Sequence, residues 1–285
     1  MVAFAANSLL CRMALGQQLI DAASFTFVRI VAGAVTLGVI TAPRWRESGL
    51  TPNWMAVAGL SCYMVFFSFA YLTLTAGTGA LLLFGAVQLT MFAVAIRNGE
   101  KLSFPAWFGL LTAFAGLAYL VAPGVTAPDP IGAALMVIAG IGWGVYSLIG
   151  RGAGDPLRAT ASNFLYSVPF AAAVGAIFFG SVEFTAPGVL LAAVSGALAS
   201  GMGYAIWYAA LRGLKASQAA TVQLSVPILA GIGGAMFLME PFTLRLVMAS
   251  ILTLGGIWLV LARRSRRPAG AFQASRPGSR PTRRR

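Results

Sequence analysis

Along most of this chain the polar positions are bunched, and between the bunches lie apolar runs of roughly 18–23 residues. A helix of that length crosses a hydrocarbon core of ~30 Å. A membrane barrel would instead show ~10-residue segments of alternating character, and no such alternation is present. The runs predict ten helices, at about 1–15, 22–41, 53–75, 77–96, 104–121, 130–149, 158–180, 187–210, 217–238 and 243–262. Clusters of Pro, Gly and charge separate most of them, such as Ala42-Pro43-Arg44 and the stretch from Pro123 to Pro130. The first run is short: as a helix it covers only about 22 Å, so either that helix is truncated at its start or the protein begins upstream. The pattern predicts an all-α polytopic membrane protein with ten transmembrane helices.

The pattern is also written twice. Shifting residues 1–122 by 139 or 140 positions brings the halves into register. Ser8-Leu9 and Arg12 meet Ser147-Leu148 and Arg151, with Phe4 opposite Trp143. Further on, Ala70, Leu74, Ala76 and Ala80 meet Ala210, Leu214, Ala216 and Ala220. Glu100 meets Glu240, Ser103 meets Thr243, Gly116 meets Gly256 and Ala122 meets Ala262. The expected units are a first five-helix repeat, 1–122, a second, 130–262, and an Arg-rich disordered cytoplasmic tail, 263–285. Five is odd, so the second copy enters from the opposite side. The repeats are therefore expected to be inverted about an axis in the membrane plane, around a central cavity.

Charge fixes the orientation. With the C-terminus inside, every basic residue except Arg12, Arg29 and Arg245 falls in an inside loop or in the tail. Both termini are then cytoplasmic, Glu100 faces the cytoplasm and Glu240 faces outside. The formal net charge of +13 does not signal nucleic acid, because the arginines of the tail and the topology account for it. The tail is read as a topology determinant that also touches anionic membrane lipid. The start, Met1-Val2-Ala3-Phe4, has no basic region of a secretory signal.

Composition narrows the chemistry. Hydrophobic residues make up 59% and charged residues 9%, against roughly 25% charged in soluble domains. There is no histidine, which removes the commonest metal ligand. Cys11 and Cys62 lie in apolar runs, form no disulfide framework and read as small core residues. No catalytic constellation, metal site or cofactor motif is present, and an enzyme is not expected. Glycine-rich stretches such as Gly140-Ile141-Gly142-Trp143-Gly144 do not follow a strand, so they read as close helix packing, as does the Ala199/Gly203 pair.

Polar and aromatic groups at mid-span carry the remaining signal, since polar side chains in hydrocarbon usually face a protein interior. They include Ser8, Tyr63, Ser68, Thr90, Tyr166 and Tyr208. The set taken as candidate substrate-binding residues is Asn7, Tyr71, Gln88, Trp143, Tyr146, Asn163, Tyr204, Trp207, Gln223 and Ser225. Aromatic faces with neutral hydrogen-bonding groups suit a small amphipathic solute, although any one of these residues serves equally well as glue between helices. Arg29, about eight residues into the second run, has two placements, a cavity or the outer interface, and snorkelling to the interface is the favoured one. Pro227 lies within the ninth run and removes one helical hydrogen bond. No Asp or Glu lies at mid-span, which disfavours proton-driven antiport of lipophilic cations; proton coupling would have to use Glu100, Glu240 or the substrate itself.

Several motifs resemble those of the drug/metabolite transporter superfamily, in its EamA-like ten-helix branch. Asn98-Gly99-Glu100-Lys101-Leu102 follows the fourth run, and Met239-Glu240-Pro241-Phe242-Thr243 is its second copy. Leu224-Ser225-Val226-Pro227-Ile228, Gly142-Trp143-Gly144-Val145-Tyr146 and Phe25-Thr26-Phe27-Val28-Arg29 add to the match, which covers about 4–262. The family's Trp-Gly of the first helix is Phe4-Ala5 here, and the proline of its fourth helix is absent. The aromatic-rich, weakly charged runs look most similar to bacterial amino-acid exporters of the YddG type. The resemblance implies an inner-membrane secondary transporter that exports aromatic and other neutral amino acids by alternating access; a monomer is the expected state, which the sequence itself does not give. The residues leave open an exporter of another solute class (nucleoside, sugar conjugate or drug) and a non-transporting membrane scaffold.

Overall fold

The computed structural model describes residues 1–44, 51–100, 103–178, 184–211 and 221–264. Ten helical rods follow one another: α1 (Val2–Gly16), α2 (Ala22–Thr41), α3 (Trp54–Ala70), α4 (Ala76–Arg97), α5 (Phe104–Val121), α6 (Pro130–Gly150), α7 (Pro156–Ile177), α8, α9 (Ser225–Leu238) and α10 (Leu244–Arg264). In α8 the stretches Ala186–Val194, Ser195–Met202 and Gly203–Leu211 run on without a break, and the middle one is π-helical. Eight rods are long and apolar enough to span a membrane, while α1 and α3 are shorter apolar helices. The chain is an all-α polytopic membrane protein. The Arg-rich tail from 265 onward, and several of the basic loop residues, lie outside the described residues.

Caps explain why acidic residues sit at helix ends. The Ser24, Gly132 and Arg158 N–H groups donate to the carboxylates of Asp21, Asp129 and Asp155, starting α2, α6 and α7. Asn53, Thr75, Thr185 and Thr243 cap α3, α4, α8 and α10 in the same way.

The repeat is visible in the packing. Exchanging α1–α5 for α6–α10 turns the α3·α6 contact into α8·α1, α4·α6 into α9·α1, and α3·α7 into α8·α2; α2·α7, α4·α9 and α5·α10 map onto themselves. The direction is inverted. On α5 and α10, Gly109 lies against Gly256 while Gly116 lies against Leu252 and Thr253, so one helix ascends as the other descends. The caps share the register. Gly99 and Met239 both adopt left-handed backbone (φ 83° and 54°), each just before the glutamate of its repeat. Glu240 bonds to the Ala76 N–H at the start of α4, and Glu100 follows the other end of α4. At 1.5 Å per residue the two glutamates lie about 33 Å apart, at opposite ends of the bundle.

Met239 occupies a conformation that costs a non-glycine residue about 1–2 kcal/mol, and its side chain is 85% exposed. Met239→Gly is expected to raise stability by about 1 kcal/mol, read as a higher midpoint of thermal unfolding in detergent.

The third helix is shorter than the predicted 53–75. It stops at Ala70, and the chain turns through Tyr71–Thr75 before Thr75 caps α4. That turn joins other connections on one face of the bundle, the one away from the basic loops. There the Thr185 N–H donates to the Leu19 carbonyl at 3.1 Å, the Thr73 hydroxyl to Asp129 at 3.2 Å, and Arg245 to the Ala122 carbonyl at 2.6 Å.

Candidate functional site

Three glycines on α6 bring its neighbours close. Gly140 and Gly144 receive Ala86 and Thr90 of α4, and Gly142 faces Gly59 of α3, each pressed on the other's carbonyl. This approach sets the Tyr63 and Trp143 rings 4.6 Å apart, centroid to centroid. Phe4 meets Trp143 at 6.4 Å, and behind them stand Tyr204, 5.7 Å from Phe4 and 5.3 Å from Trp143, and Trp207, 6.2 Å from Phe4. Such edge-on and tilted pairs are favourable beyond their area.

At the centre of this shell is a small void of about 20 Å³, lined by Phe4, Asn7, Ser8, Tyr63, Phe67, Leu83, Phe84, Trp143 and Gln223. It has room for about one water molecule. The lining comes from α1, α3, α4 and α6 and from the turn before α9, so both repeats contribute. Pro227 shapes that turn. Its ring cannot donate to the carbonyl four residues back, that of Gln223; the helix breaks at Leu224, and Gln223 sits at the break. A second, wider concavity is bounded by Val31, Ala34, Val35, Gly38, Val39, Ala42, Leu165 and Val168 of α2 and α7 and the residue after α2. It is wholly apolar and offers nothing to orient a solute.

A polar chain runs behind the void. The Ser195 hydroxyl donates to Asn7 Oδ1 at 2.6 Å, and Asn7 Nδ2 donates to Tyr63 Oη at 3.2 Å. The short first distance fits O–H···O and fixes the amide orientation. Arg29 Nη2 donates to the same Tyr63 oxygen at 2.9 Å, and its Nε lies 3.5 Å from Ser200 Oγ. Ser195 and Ser200 belong to the π-helical stretch of α8, where Gly196 accepts the backbone of Arg29 at a distance no side chain would allow. Wider π turns recur at functional sites.

Arg29 therefore corrects the favoured sequence placement. It does not snorkel to an interface but is fully buried, with its guanidinium 4.8 Å from the centroid of Phe67 and 5.4 Å from that of Tyr63. The ring faces and hydroxyls of two helices, α3 and α8, hold it more firmly than a stretched side chain could reach water.

Among the candidate residues, Asn7, Trp143 and Gln223 meet at the void, and Tyr204 and Trp207 form the shell behind it. Tyr146 is buried next to Trp143 at 5.7 Å; its hydroxyl donates to Thr160, which also lies 3.3 Å from the Tyr208 hydroxyl. Asn163 is buried beside Tyr146. Gln88 is buried one turn beyond Phe84, and its Nε2 has no partner among the described residues. Two candidates stand outside the lining of the void and make local bonds. Tyr71 ends α3 and donates to the Ala76 carbonyl, its ring resting on Gly79. Ser225 donates to the Val222 carbonyl in the turn before α9. Sequence reasoning passed over Phe67, Phe84, Ser195 and Ser200, because an apolar ring or a serine at mid-span looks the same whether it faces a void, a helix or lipid.

Comparison with known proteins agrees with this architecture. Residues 130–262 match the model of the EamA-like transporter family. An uncharacterized protein of Pseudomonas aeruginosa is 50% identical over 94% of both chains. An uncharacterized transporter of Archaeoglobus fulgidus is 24% identical, over 74% of this chain and 76% of its own, and one of Bacillus subtilis is 22% identical, over 87% and 85%. A solved crystal structure superposes with a TM-score of 0.64 at 21% identity, covering 91% of this chain and 96% of the other, a likeness of fold. The chain belongs to the EamA-like transporter family, within the drug/metabolite transporter superfamily, and is a membrane transporter.

Proposed function

We propose that this protein exports small amphipathic metabolites, aromatic and other neutral amino acids foremost, across the bacterial inner membrane as a secondary transporter, with its basic face and both termini in the cytoplasm. The repeats 1–122 and 130–262 rock about the central void in alternating access. The observation that carries the reading is the void itself: aromatic faces from Phe4, Phe67 and Trp143 beside the amides of Asn7 and Gln223, contributed by both repeats. Aromatic rings accept an apolar side chain and amides accept the polar end of an amino acid. A void of about 20 Å³ admits no such solute unless helices separate, as alternating access requires. The likeness of the spans to YddG-type exporters favours amino acids over other solutes.

The test is an uptake panel in proteoliposomes with labelled tryptophan, phenylalanine, leucine, a nucleoside, a sugar conjugate and a lipophilic drug. Flux of the aromatic amino acids is expected, and Trp143→Ala should lower it at least tenfold, since the ring touches Phe4, Tyr63, Tyr146 and Tyr204. Robust flux of another class without amino-acid flux would overturn the substrate assignment. Silence for every class would favour a scaffold.

A further inference from the structure

A fully buried guanidinium inside a membrane protein is expensive unless a partner offsets it. Arg29 lacks such a partner. The Arg12–Glu240 ion pair lies elsewhere, between α1 and the α9–α10 turn, and among the described residues Arg29 Nη1 has no hydrogen-bond partner. Its other contacts are neutral: a tyrosine hydroxyl, a serine hydroxyl 3.5 Å away and two ring faces. The positive charge is thus held one layer behind the void, without a counter-charge.

Tyr63 connects the two. Its ring lines the void, and its oxygen receives donors from both Asn7 and Arg29. A tyrosine hydroxyl has two acceptor sites and one proton. Both acceptor sites are taken, so the proton is left to donate, and the described residues give it no acceptor. A hydroxyl that accepts from a cation is polarised toward being a stronger donor. The void therefore presents an aromatic floor and, at one edge, an O–H backed by an unneutralised positive charge.

We propose that Tyr63 and Arg29 form an anion subsite that takes the carboxylate of the transported solute, so that the substrates are small carboxylates with an apolar body, zwitterionic amino acids or organic acids, and not amines or neutral compounds. Tyr63 makes the direct contact. Arg29 acts through it as a positioning residue, its guanidinium holding the Tyr63 oxygen and its charge behind the void. The solute supplies the counter-charge that the protein omits, which makes the loaded site electrically complete and the empty one not. This inference rests on the reading that the central void is the substrate site.

The test uses the full-length protein in detergent and calorimetric binding of three matched probes: L-phenylalanine, 3-phenylpropionate, which lacks the amine, and phenethylamine, which lacks the carboxylate. The first two are expected to bind, and phenethylamine at least tenfold more weakly. Arg29→Gln and Tyr63→Phe should each weaken the two carboxylates at least tenfold without weakening phenethylamine, and Arg29→Lys should restore part of the loss. Tyr63→Phe removes a single oxygen and keeps the ring, so it carries the test if Arg29→Gln does not fold. Equal binding of phenethylamine, or equal loss of all three probes in the variants, overturns the subsite. Failure of all three probes overturns it as well; flux of any solute in the uptake panel would then still uphold the cavity, and absence of flux would remove both.

Discussion

Gly256→Val is expected to lower the yield of folded protein sharply, whereas Gly255→Val, one residue earlier, should be silent. The contrast comes from which way each position faces. A Cβ on Gly256 falls onto the Gly109 carbonyl and lies 2.6 Å from the Ala113 amide nitrogen, backbone atoms that cannot rotate away. A Cβ on Gly255 meets nothing within 4 Å. In a membrane, apolar area is no force for helix association because lipid is equally apolar. Close backbone approach at small residues does that work. The pair α5·α10 sits on the two-fold between the repeats, so wedging it apart breaks one of the main contacts that join the halves of the protein. The expected loss exceeds about 3 kcal/mol, at the upper end of overpacking effects. The measurement is the yield of monodisperse protein after detergent extraction. Equal yields for the two variants would show that this contact does not hold the repeats together.

The second large effect is expected from Glu240. Arg12 Nε donates to its Oε1 at 3.0 Å, the Ala76 N–H donates to its Oε2 at 2.8 Å, and Arg12 Nη1 reaches the Tyr71 and Leu72 carbonyls at 3.1 Å. Two side chains thus tie α1, the α3–α4 turn and the α9–α10 turn together on the face away from the basic loops. Hydrogen bonds to charged groups contribute about 1.5–3 kcal/mol each when solvent is largely excluded, and these side chains are 22% and 11% exposed. Glu240→Ala should open this face. Cys11 reports it, since it is fully buried and adjacent to Arg12 in α1. In a Cys62→Ser background, labelling of Cys11 by N-ethylmaleimide in sealed vesicles should rise at least tenfold with Glu240→Ala, and Glu240→Gln, which keeps an acceptor for the Ala76 N–H, should raise it less. Unchanged labelling would mean that other contacts close this face, such as those of Arg245 and Thr185.

Much of the fold was legible because long apolar runs have few solutions in lipid. Unsatisfied backbone groups forbid anything but helices there, so run length gave the spans, and an odd count per repeat gave the inversion. The site was legible only in kind. Asn7, Trp143 and Gln223 do converge, but Tyr71 and Ser225 spend their hydroxyls on nearby carbonyls, and hydrophobic period does not reveal such local bonds.

Arg29 shows the boundary most sharply. Its distance along α2 allows either an interface or a cavity, and the sequence holds no term that separates them. What separates them is long-range: Gly196 admits the α2 backbone, and the π turns of α8 bring Ser200 to the guanidinium while Tyr63 and Phe67 of α3 bring their ring faces. The sequence by itself determined ten apolar helices, eight of them long enough to span, their duplication and their inverted order, because those follow from local solvation and counting. Only the tertiary structure decided which polar groups face the void and where the buried charge stands, because those depend on contacts between residues dozens to hundreds of positions apart.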